Sequence, residues 1–181
     1  IPRGYLVKLC FIALVSATIQ YGLTFSGLAR MDATPAILLV QSEVIFGVII
    51  GAMLLGEKPD LRQILGIIIA LAGIMILIGG PALTDKMTGI VLVLSGCFTW
   101  AFGQVLIRKF TVGLSGFQLT AWVGVMASPQ MFLASFFVEG NPVPFLEAAP
   151  LSAWGTVIYL GVVMTVVGYS AWYYVLGRYP M

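Results

Sequence analysis

Five stretches of this chain run for more than twenty residues without one charged side chain: 9–29, 63–84, 87–107, 110–138 and 148–177. A sixth, 33–56, is interrupted only by Glu43. The hydrocarbon core of a bilayer is about 30 Å thick, and a helix needs about 20 apolar residues to cross it. Runs of this length, repeated six times, leave lipid as the only sensible solvent. Only 9% of the residues are charged and 60% are hydrophobic, against roughly 25% charged in soluble domains. Backbone polar groups in lipid must be satisfied within the chain, which leaves helices or closed barrels. The period-2 alternation of a barrel is missing. The sequence therefore predicts an all-α membrane protein with six transmembrane helices, near 5–29, 34–56, 61–79, 88–110, 115–137 and 152–176.

Turn chemistry marks the breaks. Glu57-Lys58-Pro59-Asp60 separates the second helix from the third, and Gly79-Gly80-Pro81 closes the third. Asn141-Pro142-Val143-Pro144 falls in the longest loop. Pro129, inside the fifth helix, is expected to kink it by removing one backbone hydrogen bond.

Numbering the two sides alternately from the N-terminus gathers Arg3, Lys8, Lys58, Arg62, Arg108, Lys109 and Arg178 on one side. The other side holds Arg30 and Lys86 among the basic residues, with Asp32, Asp85, Glu139 and Glu147. The excess of basic residues identifies the first side as cytoplasmic. A multi-pass protein of the cell (inner) membrane, with both ends of this chain cytoplasmic, is the expectation. A net charge of +2 gives no reason to expect nucleic acid. Cys10 and Cys97 lie inside apolar runs and read as small core residues. The first residue is Ile1, and the chain is taken as part of a longer protein.

Shifting the sequence against itself by 148 residues superposes the first helix on the sixth. Val15 falls on Val163, Tyr21 on Tyr169, Leu28 on Leu176 and Arg30 on Arg178, with Ile19 near Val167 and Phe25 near Tyr173. Segments five spans apart cross the membrane in opposite senses, so the likeness implies an inverted repeat of five helices per half. Inverted repeats are a transporter architecture, with substrate bound near the midplane between the halves.

Several stretches also resemble a known family. They are Gly27-Leu28-Ala29-Arg30, Ala36-Ile37-Leu38-Leu39, the run from Gly51 to Glu57, Gly66 and Ala72-Gly73, followed by Phe98-Thr99-Trp100-Ala101-Phe102, the run from Thr165 to Trp172, and Leu176 to Pro180. Together they resemble the EamA family of the drug/metabolite transporter superfamily, closest to its O-acetylserine/cysteine exporter branch. The resemblance implies a ten-helix, 5+5 transporter, of which residues 1–80 would hold the last three helices of the first repeat and residues 81–181 the first three of the second. It implies alternating-access export of small neutral or zwitterionic metabolites, such as cysteine or O-acetylserine. The family usually has proline in the middle of its fourth helix. Here Glu43-Val44-Ile45-Phe46 occupies that stretch, so the resemblance assigns Glu43 no role.

Glu43 is nonetheless the ionisable residue deepest in a span. It lies nine residues beyond Thr34, roughly 13 Å along a helix, where a charge costs at least about 2.5 kcal/mol. One reading makes it a proton-coupling site or a counter-charge to a substrate amino group. The other makes it a protonated carboxyl that hydrogen-bonds a neighbouring helix. Gln41 stands about 200° away round the helix and cannot share its cavity. Gln20 and Gln104 sit inside spans and either bind substrate or bridge helices. Trp100, Tyr169, Trp172 and Tyr173 either line a cavity or mark the lipid interface, where Trp154 is placed. Glu43, Trp100, Gln104 and Tyr169, with Gln20 and Trp172, are the candidate substrate-binding residues. Gly47 and Gly51, and Gly89, Gly96 and Gly103 at intervals of seven, are expected to let helices approach closely. Glu57 is expected to pair with Lys58 or Arg62.

An enzyme is the main rival. Gly113-Leu114-Ser115-Gly116 matches the short motif of intramembrane serine proteases, but such a serine needs a histidine base and the chain has no histidine. No metal or other cofactor is expected. A non-transporting membrane scaffold would suit the glycine-rich faces equally. A nucleotide-sugar or drug carrier of the same superfamily is the nearest alternative, though a phosphate-bearing substrate would call for a basic residue within a span. The expected partners are a small-molecule substrate and the lipid bilayer. Export is expected to be proton-linked, and a homodimer is left open.

Overall fold

A computed structural model describes residues 3–78, 86–110, 114–138 and 140–178. Among these the regular structure is helical throughout. Helix α1 joins an α-helical Arg3–Ala13, a π-helical Leu14–Ile19 and an α-helical Gln20–Leu28. Helix α2 consists of Ala33–Val40 and Ser42–Leu55, joined by a tight turn at Gln41. Then come α3 (Leu61–Ile78), α4 (Met87–Phe110), α5 (Gly116–Val138) and the single turn α6 (Val143–Glu147). Helix α7 joins Leu151–Tyr159, a π-helical Leu160–Tyr169 and Ser170–Leu176. Five of these are long and apolar enough to cross a membrane: Tyr5–Leu28, Ala33–Leu55, Met87–Phe110, Gly116–Val138 and Leu151–Leu176. The apolar stretch of α3, Leu61–Ile76, is shorter. Among the described residues the expected helix bounds hold to within two residues, because the apolar runs are of the length a membrane span needs. Gly79-Gly80-Pro81 lies outside the described residues, and α5 continues as helix through Pro129.

The chain forms two compact units, one of residues 1–14 with 110–180 and one of residues 15–109. The second holds the better-packed core. Leu39 and Ala36 of α2 pack with Ile90, Val93 and Cys97 of α4, and Ile50 of α2 packs with Ala101 and Val105 of α4. Phe46 of α2 meets Phe98 edge to face at 5.7 Å, and Phe98 stacks on Phe102.

Ion pairs pin both ends of this helix pair. Asp32, just before α2, pairs with Lys86, just before α4. Glu57, just after α2, pairs with Arg108 in the last turn of α4. The two helices therefore run parallel. The partner found for Glu57, Arg108, is one that the residue pattern did not name. Gly56 ends α2 in the left-handed conformation (φ 69°), directly before Glu57.

Helix α1 runs antiparallel to α4 along the glycine seam. A Cβ on Gly89 would stand 3.2 Å from the carbonyl oxygen of Gly27, and one on Gly103 would stand 2.5 Å from Cβ of Ser16. Between them, Gly96 lies against Thr24. The seven-residue spacing lets one side of α4 meet α1 at all three places, as expected for small residues in membrane helices. Gly47 and Gly51 are buried in α2.

In the other unit α5 and α7 meet as closely. A Cβ on Gly116 would stand 2.5 Å from the carbonyl oxygen of Ser170, and the hydroxyls of Ser170 and Thr120 are 3.3 Å apart. Cys10 departs from the expected core role. It is exposed, and the side-chain amide of Gln130 donates to its carbonyl oxygen and sulfur at 3.2 Å each.

Candidate functional site

The polar groups of the second unit gather along α1, α2 and α4. The centre is the tight turn at Gln41. There the Gln41 N–H donates to the carbonyl of Leu38, and the Val44 N–H to the carbonyl of Gln41, each at 3.3 Å and each three residues back instead of four. Val40 thus loses the N–H that a regular helix would supply. Its carbonyl and that of Leu39 instead face the thiol of Cys97, at 3.7 Å each. Ser42 follows the turn, 2% exposed, beside the same thiol. Glu43 comes next and is half-buried, whereas Gln41 is exposed.

Gln20 and Thr24 stand one helical turn apart on α1. Gln20 is 5% exposed, and its Nε2 donates to Thr24 Oγ1 at 3.3 Å. Its Oε1 is buried with no hydrogen-bond partner among the described residues. An amide oxygen in that state costs stability unless water or a ligand meets it. Gln104 of α4 is 1% exposed, seven residues beyond Cys97 and so on nearly the same face. Trp100 is half-buried and packs against the Ile50, Ala101 and Val105 cluster.

The remaining candidates, Tyr169 and Trp172, belong to the other unit. Tyr169 ends the π-helical stretch of α7 and lies 5.8 Å from the ring of Tyr173. Tyr173 is buried, while Trp172 is 40% exposed. The six candidates therefore divide, with Gln20, Glu43, Trp100 and Gln104 in one unit and Tyr169 and Trp172 in the other.

Cys97, Ser42 and Thr24 are polar participants that the residue pattern alone did not single out. Cys97 read as core, and it is fully buried. Its second role appears only once α2 is known to tighten opposite it. Among the described residues no cluster of three metal-ligating side chains occurs.

Residues 2–79 and 87–181 match the EamA-like transporter family. The chain belongs to that family. It is 29% identical over 156 residues to a protein of Escherichia coli (strain K12) named probable amino-acid metabolite efflux pump, covering 82% of this chain and 52% of that protein. It is 27% identical over 157 residues to a probable terminal-alkyne amino-acid exporter of Streptantibioticus cattleyicolor, covering 84% of this chain and 50% of that protein. A transporter of Archaeoglobus fulgidus with no assigned function is 27% identical over 177 residues, covering 94% and 58%. This EamA-like chain thus spans about half the length of the curated relatives it matches. No solved structure matches it.

Proposed function

We propose that this EamA-like chain is part of a carrier that exports small neutral or zwitterionic metabolites, amino acids or derivatives such as cysteine and O-acetylserine. Transport proceeds by alternating access between inverted halves, with Glu43 as the site of proton coupling or of contact with a substrate amino group. The observation that carries the reading is Glu43 itself, a half-buried carboxyl beside a tightened turn in the interior of an apolar 23-residue helix. An ionisable group held there at a cost of at least about 2.5 kcal/mol calls for a function.

Three further observations support it. Two relatives carry names that describe export of amino acids or their metabolites. Arg108 and Lys109 lie in the last turn of α4, and Lys58, Arg62 and Lys86 lie at or between helix ends. A phosphate-bearing substrate at the midplane would find no partner among them, which disfavours a nucleotide-sugar carrier. The 148-residue shift also carries the π-helical Leu14–Ile19 onto residues 162–167, inside the π-helical Leu160–Tyr169. A rare backbone form, common at functional sites, thus recurs at matching places of the internal repeat.

The test is efflux of labelled cysteine and O-acetylserine from bacteria expressing the whole protein, with Glu43→Gln beside it. Export by the wild type and its loss in Glu43→Gln, at equal membrane levels, supports both parts of the reading. Equal export by both removes Glu43 from the mechanism. Export by neither removes these two substrates.

A further inference from the structure

We propose that Cys97 is a positioning residue for Glu43, holding in place the turn that aims the carboxyl. The inference rests on the reading of Glu43 given above.

The backbone makes the case. Two hydrogen bonds of α2 around Gln41 reach three residues back, so this part of the helix is wound at about 120° per residue instead of 100°. Over the two steps from Gln41 to Glu43 that difference turns the carboxyl by about 40° and advances it by about 1 Å. The direction of Glu43 is therefore set by whether the turn stays tight.

Tightening has a cost. The Val40 carbonyl loses its helical donor inside the hydrocarbon region, where neither water nor lipid can replace it. The thiol of Cys97 is the side-chain donor that faces this carbonyl and that of Leu39. A thiol is a weak donor with a single hydrogen, so the two carbonyls share it. It is held there by packing, since Cys97 is wholly buried in a cluster with Ala36, Leu39, Ile90 and Val93. If the thiol is removed, the tight turn leaves a carbonyl unmet in an apolar core. A regular helix, which pairs that carbonyl and turns Glu43 away, then becomes competitive.

The test is uptake of labelled cysteine into inside-out vesicles containing the whole protein, normalised to protein level. Cys97→Ala and the better-filling Cys97→Val are each expected to raise KM about two- to fivefold, the size of a weak hydrogen bond. Cys97→Ser, which keeps a donor, is expected to stay near wild type. Cys97→Ala added to Glu43→Gln is expected to cause no further change, because the aim of a group already lost no longer matters. A role in packing alone predicts another pattern, in which Ser and Ala behave alike or the Ala effect adds fully to that of Glu43→Gln. Either result overturns the inference and leaves the reading of Glu43 standing. Glu43→Gln with wild-type transport overturns both. If Glu43→Gln abolishes uptake, the Ser against Ala and Val contrast decides alone.

Discussion

Gly96 of α4 and Thr24 of α1 are in such close contact that a methyl group on the glycine would overlap the threonine hydroxyl. The same Cβ would also stand 3.2 Å from the backbone nitrogen of Thr24, so rotating the side chain away relieves only part of the clash. Gly96→Ala should therefore destabilise the protein by about 1–3 kcal/mol, as overpacking does. Gly22, on the same α1, has open space around it, and Gly22→Ala should be neutral or stabilising by up to about 1 kcal/mol. Thermal unfolding of the purified protein in detergent separates the two. A Gly96→Ala melting temperature equal to that of Gly22→Ala would mean that α1 and α4 do not meet as described.

The two ion pairs at the ends of α2 and α4 should differ in strength. Glu57 and Arg108 are mostly covered, with side-chain exposures of 18% and 25%, whereas Asp32 is 65% exposed. Glu57→Ala leaves Arg108 partly buried and unpaired, and should cost about 1–3 kcal/mol. Asp32→Ala should cost less than about 1 kcal/mol, as expected for an exposed pair. Exchanging the charges, with Glu57→Arg and Arg108→Glu together, should recover much of what either substitution loses alone. A melting series across the five variants checks this, and additive losses in the exchange would count against the pair.

Gln20 should separate stability from transport. Its Oε1 is buried and unmet, so Gln20→Leu removes an unsatisfied acceptor and should leave stability unchanged or raise it by about 1 kcal/mol. If Oε1 serves the substrate, export of labelled cysteine by the same variant should fall about fivefold or more. Melting and export measured on one preparation decide the matter. A fall in both would make Gln20 a helix bridge instead.

The side assignments can be read with fusions to alkaline phosphatase, which is active only outside the cytoplasm. A fusion after Asp60, between α2 and α3, should be inactive, and one after Asn141, between α5 and α6, should be active. The ion pairs agree with this arrangement, because Glu57–Arg108 joins groups assigned to the cytoplasmic side and Asp32–Lys86 joins groups assigned to the other. The reverse pattern of activity would invert the topology.

The sequence by itself determined where the helices lie and which side chains could pack tightly. Transfer into lipid is a sum over consecutive residues, so a charge-free run such as 87–107 announces α4 without reference to any other part of the chain. Glycines at 89, 96 and 103 announce a small-residue seam for the same local reason. Glu43 stood out because a charge deep in a span is rare.

Only the tertiary structure decided which partners these features meet. The seam could have served any neighbour and serves α1. Glu57 reaches Arg108, fifty-one residues on, a partner that the residue pattern did not name. Cys97 looked like filler until α2 tightened opposite it. The turn at Gln41 contains no proline, so nothing local marks it. The turn lies against a residue far away in the chain, with the thiol of Cys97 facing the carbonyl of Val40, and such contacts carry no signature in the order of the residues.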